Sequence, residues 1–330
     1  MTKKIYYINN NGILKRKNNT IYFIRKNGDI RIHIPVEKIH TIMSFGKLTI
    51  SSGAISLISK KKITMHFFNK YGVYQSCLSP IKISQGEFLV KQLINYLDHD
   101  KRMNLARKFV QGCGKNMISN LKFYKNKGKN LEEEIKQIQN IVDNLNFERS
   151  IEGLLSYEGD MWNKYYKSFN KILPNDFNFV KRTRNPPKDM INCLISYGNS
   201  VLYSTILSEI YKTELNPSIS FLHSPSRSRF SLVFDISEIF KPLIVDRTIF
   251  KIVNQGILNK EHFNYTNNGV FLNSKGREIF INFYEKRLYK KIFLPRYKRK
   301  ISYRNIIREE CYKILRHIIG REIYEPFMLK

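Results

Sequence analysis

Residues 1 to about 80 alternate β-branched or aromatic positions with polar ones in short runs. IYYI (5–8), TIYFI (20–24), DIRIHI (29–34), KLTIS (47–51) and ITMHFF (63–68) each predict a strand. Asn10-Asn11-Gly12 and Asn27-Gly28-Asp29 predict hairpin turns. GAISLISKKK (53–62) predicts one short helix. His33, His40 and His66 alternate with apolar residues and read as ordinary strand histidines. Nothing in this stretch carries chemistry.

The texture changes near Ser79-Pro80. From about Gln85 the apolar positions recur with helical spacing, through GEFLVKQLINYLDHDKRMNLARKFVQGCGKNMISNLKFYKN and again through LEEEIKQIQNIVDNL, whose early acids suit a helix N-terminus. The basic loop YKNKGKN (124–130) separates these two stretches. KRTRNPPKD (181–189) is a proline-containing basic loop, and INCLISYGNSVLYSTILSEIY (191–211) is a long apolar helix. The expected fold class is α+β: a small strand-rich N-terminal domain over 1–82, then a larger all-α domain over 83–330.

One helical stretch contains an anomaly. Ile151, Leu154, Leu155, Trp162, Tyr165, Tyr166, Phe169 and Ile172 form one apolar stripe at ~100° per residue, and Glu158 falls inside it. Asp160, Lys164 and Lys167 project from the other side. A carboxylate facing a core is costly unless a cation, a proton or hydrogen bonds compensate it. A second informative stretch is NPSISFLHSPSRSRFSLVFDISEIFKP (216–242). There His223 ends an apolar run, Arg227 and Arg229 lie in a loop, and Leu232, Ile236, Ile239 and Leu243 face the core of the next helix. Asp235 and Glu238 share a neighbouring edge. Glu158, His223 and one or both of Asp235 and Glu238 are carboxylates and an imidazole without thiolates, a set suited to Mg²⁺ or Mn²⁺. The alternative is equally physical: the acids pair with Arg227 and Arg229, and His223 is a core residue.

Charge narrows the class of partner. The 330 residues carry 57 Lys and Arg against 27 Asp and Glu, a formal net charge of +30. Such an excess favours a polyanion, and nucleic acid is the economical reading because neutralising phosphates releases counterions. No apolar run approaches the ~20 residues of a membrane span, and no signal-peptide core follows MTKK. Cys77, Cys113, Cys193 and Cys311 are widely spaced without a CxxC, which argues against disulfides and a cysteine zinc site. A reducing cytoplasm is expected.

Taken together, these stretches resemble the CRISPR-associated integrase of spacer acquisition, CRISPR-associated protein one. The family's Glu-Gly pair, followed seven and eight residues later by two aromatics, is matched by Glu158-Gly159 with Tyr165-Tyr166. Glu152-Gly153 imitates only its start, since Gly159 and Asp160 occupy the aromatic positions and Glu152 lies off the stripe. RTRNPPKDMINCLISYGNSVLY (182–203) is similar to the family's basic loop and helix, with Asn192 at its asparagine. FLHSPSRSRFSLVFDISEIFKPLIVDR (221–247) is similar to its block of histidine, basic loop and acids, and REIYEPFMLK and IPVEKIHTIMSFGKLTISSGAISLISKKKITMHFFNKYG extend the likeness to both ends, closest to type I-B versions.

The resemblance implies a metal-dependent DNA integrase and endonuclease. Glu158, His223 and Glu238 would be both catalytic and metal-holding, with Asp235 an adjacent acid whose contact with the ion stays open. Arg182, Arg184, Asn192, Arg227 and Arg229 would be the DNA contacts. It implies Mg²⁺ or Mn²⁺ and no nucleotide cofactor, a homodimer formed through the strand-rich domain, and assembly with the small CRISPR-associated protein two on double-stranded spacer precursor and CRISPR repeat. Two rivals are a metal-dependent repair nuclease for branched DNA and a non-catalytic basic nucleic-acid scaffold.

Overall fold

The computed structural model describes residues 3–26, 31–80, 86–225 and 230–329. They fall into two units, 1–83 and 84–330. In the first, β1 (Lys4–Ile8), β2 (Gly12–Lys17), β3 (Thr20–Arg25), β4 (Arg31–Pro35), β5 (Ile39–Ser44) and β6 (Leu48–Ile50) precede a helix α1 (Ser52–Lys60), which β7 (Thr64–Phe68) and β8 (Tyr74–Leu78) follow. They build two four-stranded sheets, ordered β1-β5-β7-β8 and β4-β3-β2-β6. The alternation read from the sequence sets the inward face: Leu14 of β2 and Ile21 and Phe23 of β3 are buried while Ile13 and Lys15 face outward. These pack with Ile39 and Ile42 of β5, Leu57 and Ile58 of α1 and Met65 of β7 into one core. β5 lies between two parallel neighbours and is buried along its whole length.

The expected hairpin at Asn10-Asn11-Gly12 does not form. β1 pairs in parallel with β5, and the chain crosses into the other sheet to begin β2. Gly12 serves close approach instead of a turn, because a Cβ there would stand 2.3 Å from the carbonyl oxygen of Ile24. Asn11 Oδ1 accepts from the backbone N–H of Lys47 at 2.8 Å. The observed hairpin joins β2 to β3, with Asn18 left-handed at φ 52°. The second expected turn, Asn27-Gly28-Asp29, lies outside the described residues. His33, His40 and His66 sit on β4, β5 and β7; His40 Nδ1 meets Thr41 Oγ1 at 2.8 Å and His66 Nδ1 meets Tyr74 Oη at 3.2 Å.

The second unit is built from α2 (Gly86–Leu97), α3 (His99–Lys125), α4 (Glu132–Asn144), α5 (Ile151–Lys167), α6 (Phe169–Ile172), α7 (Met190–Ile210), α8 (Ser231–Phe240), α9 (Arg247–Asn254), α10 (Ser274–Leu288) and α11 (Tyr303–Ile318). Asp98 divides the first predicted helical stretch in two, because its side chain caps α3 by accepting from Lys101 N. α3 is the central helix and packs against α4, α5 and α8. Gly112 allows α3 to approach Ile239 of α8 and Pro326, since a Cβ would lie 2.8 Å from the proline ring. α7 is buried nearly throughout. The expected all-α character needs one correction: two short hairpins, β9 (Phe263–Thr266) with β10 (Gly269–Leu272) and β11 (Lys291–Leu294) with β12 (Arg299–Ser302), flank α10. Among the described residues no helix is long and apolar enough to cross a membrane.

Candidate active site

Glu158 is placed by the stripe around it. Ser150 caps α5 by accepting from Gly153 N at 3.0 Å. Ile151, Leu154, Met161, Trp162 and Tyr165 then bury one face and leave Glu158, partly buried, on its margin. Its partner is a second acid. On α8, Leu232, Ile236 and Ile239 are fully buried, and this turns Glu238, 2% exposed, towards α5. Glu238 Oε2 accepts from the indole Nε1 of Trp162 at 2.8 Å, and Oε1 accepts from the ammonium of Lys241. Burial, and next the negative charge of Glu238, push the Glu158 carboxyl up to about 7. Burial acts on Glu238 too, but the charges of Lys241 and His223 outweigh it and hold this carboxyl below its ordinary value. The Lys241 ammonium thus stands beside two acids of which one is raised and the other lowered.

The histidine arm is held by the other acid of α8. Asp235, fully buried, accepts from the backbone N–H groups of Phe221 (2.7 Å), Leu222 (3.1 Å) and His223 (3.0 Å), and from His223 Nδ1 (2.8 Å). These four bonds fill its acceptor capacity and fix the residue order Phe-Leu-His against the helix. The segment is secured further by Gln92, whose Nε2 donates to the carbonyls of Asn216 (3.0 Å) and Ile219 (2.8 Å), and by Arg102 Nε donating to Phe221 O at 2.9 Å. Burial depresses the imidazole, yet the bond to Asp235 and its charge reverse this and hold His223 above its ordinary value. With Nδ1 directed at Asp235, Nε2 is the nitrogen left for other work. The charge of His223 is felt by both Glu158 and Glu238.

The predicted site residues thus divide. The structure brings Glu158 and Glu238 together, with His223 electrostatically beside them, and it makes Asp235 the support of His223. Among the described residues no three of His, Cys, Asp and Glu stand close enough to enclose a metal ion as they are. The donor chemistry nevertheless suits a hard divalent cation: two carboxylates, one of them raised by burial and by the other, and an imidazole oriented by a carboxylate. Lys241 donates to one of the two carboxylate oxygens of Glu238.

Arg182 stands at the site's edge but is engaged. Its Nη1 donates to Asn192 Oδ1 at 2.9 Å and its Nη2 to Ser196 Oγ at 2.9 Å, and burial lowers its pKa. Arg184, beside it, is exposed. Asn192 is fully buried and fastens this loop. It accepts from Thr183 N at 2.8 Å and donates to Lys181 O at 2.8 Å and Asp189 Oδ2 at 2.5 Å. Its amide has no capacity left for a phosphate, so the expected DNA contact is corrected to a loop fastener. Arg227 and Arg229 lie outside the described residues.

Three residues went unread in the sequence. Lys241 is the cation of the site; burial works against its ammonium, but the charge of Glu238 and the hydrogen bond to it hold Lys241 above the lysine range. Its signal was available, since it follows Glu238 by three positions on one helix edge. Trp162, four positions after Glu158, was assigned to the core, yet its indole N–H is a donor to Glu238. Asp246 is buried close by, and burial is the main reason its carboxyl is pushed up to about 8. Pro242 explains the local backbone: it has no N–H for the Glu238 carbonyl four residues back, and a π-helical turn over Lys241–Asp246 follows.

Comparison with known proteins identifies the family and the fold. Residues 6–286 match the family described as CRISPR associated protein Cas1. A protein of Methanobrevibacter ruminantium named CRISPR-associated protein Cas1 1 is 43% identical over 330 residues, covering 100% of this chain and 99% of that one. The CRISPR-associated endonuclease Cas1 of Methanothermobacter thermautotrophicus is 43% identical, with 100% and 96% covered. Among solved structures, a CAS1 protein from Thermotoga maritima superposes with a TM-score of 0.87 at 33% identity, covering 98% of this chain and 100% of that one. A casposase bound to integration product shares the fold with a TM-score of 0.88 at 20% identity, covering 98% and 93%.

Proposed function

Because this chain belongs to the CRISPR-associated protein Cas1 family, we propose that it is a metal-dependent DNA endonuclease and integrase, which inserts short DNA fragments into a CRISPR repeat by attack of a 3′-hydroxyl on a phosphodiester. The observation that carries this reading is the meeting of Glu158 from α5 and Glu238 from α8, two acids too close to ionise independently, next to an imidazole held by Asp235. Curated relatives are named as endonucleases, which supports the reaction class.

Glu158, Glu238 and His223, through Nε2, would hold Mg²⁺ or Mn²⁺. Such an ion supplies polarisation of a phosphoryl oxygen and a lower pKa for the attacking hydroxyl. The chain's own residues do the rest. Trp162 fixes the rotamer of Glu238, and Asp235 fixes the ring of His223. Lys241 lies between the acids and the ring of Tyr203, 5.6 Å from its centroid, where its charge balances the two carboxylates. Arg184, exposed on the loop that Asn192 fastens, is a phosphate contact, and the overall charge of +30 favours retention of DNA. Pairing of two copies through the N-terminal unit, and assembly with CRISPR-associated protein two, complete the proposal. The test is a strand-transfer assay with a 3′-hydroxyl donor and a repeat-bearing plasmid, with and without chelator. Cleavage of branched DNA without joining would favour a repair nuclease, and activity unaffected by chelator would remove the metal.

Two further outcomes follow at this site. Asp235→Asn loses the charge that orients His223 and one of the acceptor positions used by the 221–223 backbone. Strand transfer is expected to fall about 10–100-fold, the usual range for a residue supporting a metal ligand. Mn²⁺ affinity measured by calorimetry should fall in parallel, and unchanged affinity would separate Asp235 from this role. Gly159 gives a contrasting result. A Cβ added there meets nothing within 4 Å, so packing within the chain does not require glycine. Gly159→Ala should stabilise α5 by about 0.5–1 kcal/mol, read as a higher melting temperature. Slower strand transfer by this more stable variant would point to close approach of DNA at that position.

A further inference from the structure

A cavity in the helical unit, of about 300 Å³, is lined by six cations: Lys127, Arg247, Lys251, Lys286, Arg287 and Lys290. No Asp or Glu is among its lining residues. The spacing shows that the chain directs these charges here. Arg247 and Lys251 are one turn apart on α9, whose other face, Ile249, Phe250, Ile252 and Val253, is buried. Lys286 lies in the last turn of α10, and Lys290 follows two residues after the helix ends. None of the six makes an ion pair with a carboxylate among the described residues. Burial, assisted by the neighbouring Arg247, pushes the Arg287 guanidinium down to about 10. Burial and the charges of Arg287, Arg247 and Lys251 likewise lower Lys290.

The two arginines are fixed in place. Arg287 Nε donates to Leu243 O at 2.6 Å and its Nη2 to Tyr303 Oη at 3.0 Å. Arg247 Nε donates to Asn120 Oδ1 at 2.7 Å. Aromatic rings accompany the cations. The Arg247 guanidinium lies over Phe123, 4.5 Å from the ring centroid, and Lys286 lies 4.9 Å from that of Phe283. Phe123 is 40% exposed. Positive charge gathered without counterions beside accessible rings is the chemistry that binds phosphate and stacks a nucleobase.

We propose that this cavity is a nucleic-acid site separate from the carboxylate–histidine cluster, which takes a single-stranded segment by its backbone phosphates and stacks a base on the Arg247–Phe123 pair. A cavity of this size admits one nucleotide unit at a time. A duplex has its bases stacked on one another and not free for a protein ring. Six cations exceed what a mononucleotide needs, whereas a strand supplies one phosphate after another.

The test is fluorescence anisotropy with a labelled short oligo-dT and a blunt-ended duplex hairpin. Chelator in the buffer prevents chemistry, so the result is independent of the proposed catalytic site. The combined variant Lys251→Gln, Lys286→Gln, Lys290→Gln should bind oligo-dT about tenfold more weakly near physiological salt. Its slope of log affinity against log salt should be shallower by about 2, from roughly 0.7 per phosphate contact on a single strand. Phe123→Ala should weaken binding about fivefold at an unchanged slope, and the same three lysines changed to arginine should retain affinity. Duplex binding should change less than twofold. Wild-type affinity and slope in the glutamine variant would overturn the proposal, as would an equal loss for duplex. Displacement of oligo-dT by thymidine monophosphate at equal nucleotide concentration would assign the cavity to a free nucleotide instead.

Discussion

Glu158→Gln is expected to reduce strand transfer by on the order of 10³-fold, because metal-ion stabilisation of a phosphoryl transition state is worth several kcal/mol and each ~1.4 kcal/mol is tenfold. The amide keeps the size of the side chain but cannot balance a divalent charge. The same variant should not unfold. Glu158 is held up to about 7 by burial and by Glu238, so the folded state retains a proton that an unfolded chain loses near pH 4.5. A carboxyl raised in this way gives its full contribution to stability below the unfolded pKa, and that contribution is lost as pH rises through 7. Glutamine has no such loss. In chelator, the melting temperature of the variant relative to wild type should therefore rise between about pH 5 and pH 8. Strand transfer within tenfold of wild type would remove Glu158 from the ligand set. A flat difference in melting temperature across that range would show that the two acids do not share a proton.

The acid in the apolar stripe was legible because helical periodicity is local: eight apolar residues define a face, and one carboxylate violates it. The same locality located α1, α7 and α8 and divided α+β correctly. What went unread depends on non-local partners. β1 and β2 follow each other with Asn-Asn-Gly between them, yet β1 belongs with β5, and parallel pairing leaves no mark in adjacent residues. β5 was read only through His40 as a strand position and its bounds went unread, because a strand buried along its whole length shows no polar face. The two hairpins around α10 are four-residue strands, below the length at which period two is distinct. In the site, Asp235 and Glu238 looked equivalent from their spacing. Only coordinates show that one receives three backbone N–H groups and the other a lysine and an indole. Asn192 misled for a related reason: an asparagine near the start of a helix behind a basic loop suits a phosphate contact, but its burial assigns it to the loop.

Lys241→Gln is the complementary change, since it removes the cation and leaves both acids. Lys241 is 12% exposed and Glu238 2%, so their ion pair is screened little by solvent. Removing one partner of such a pair typically costs 3–5 kcal/mol, because the remaining charge is stranded where water cannot reach it. For a unit the size of residues 84–330 a loss of about 3 kcal/mol corresponds to roughly 6–12 °C in melting temperature. That loss should be largest in chelator. Adding Mn²⁺ should recover part of it and stabilise the variant more than wild type, because the ion then meets two carboxylates with no ammonium competing for them. The comparison separates two roles for the lysine. If Lys241 only neutralises the acids, Mn²⁺ restores stability and strand transfer together. If its ammonium also meets the DNA phosphate, stability returns while strand transfer stays low. A variant that melts with wild type in chelator would show that Lys241 does not balance the acid pair. Equal stabilisation of the two proteins by Mn²⁺ would show that the lysine and the ion do not compete for one place.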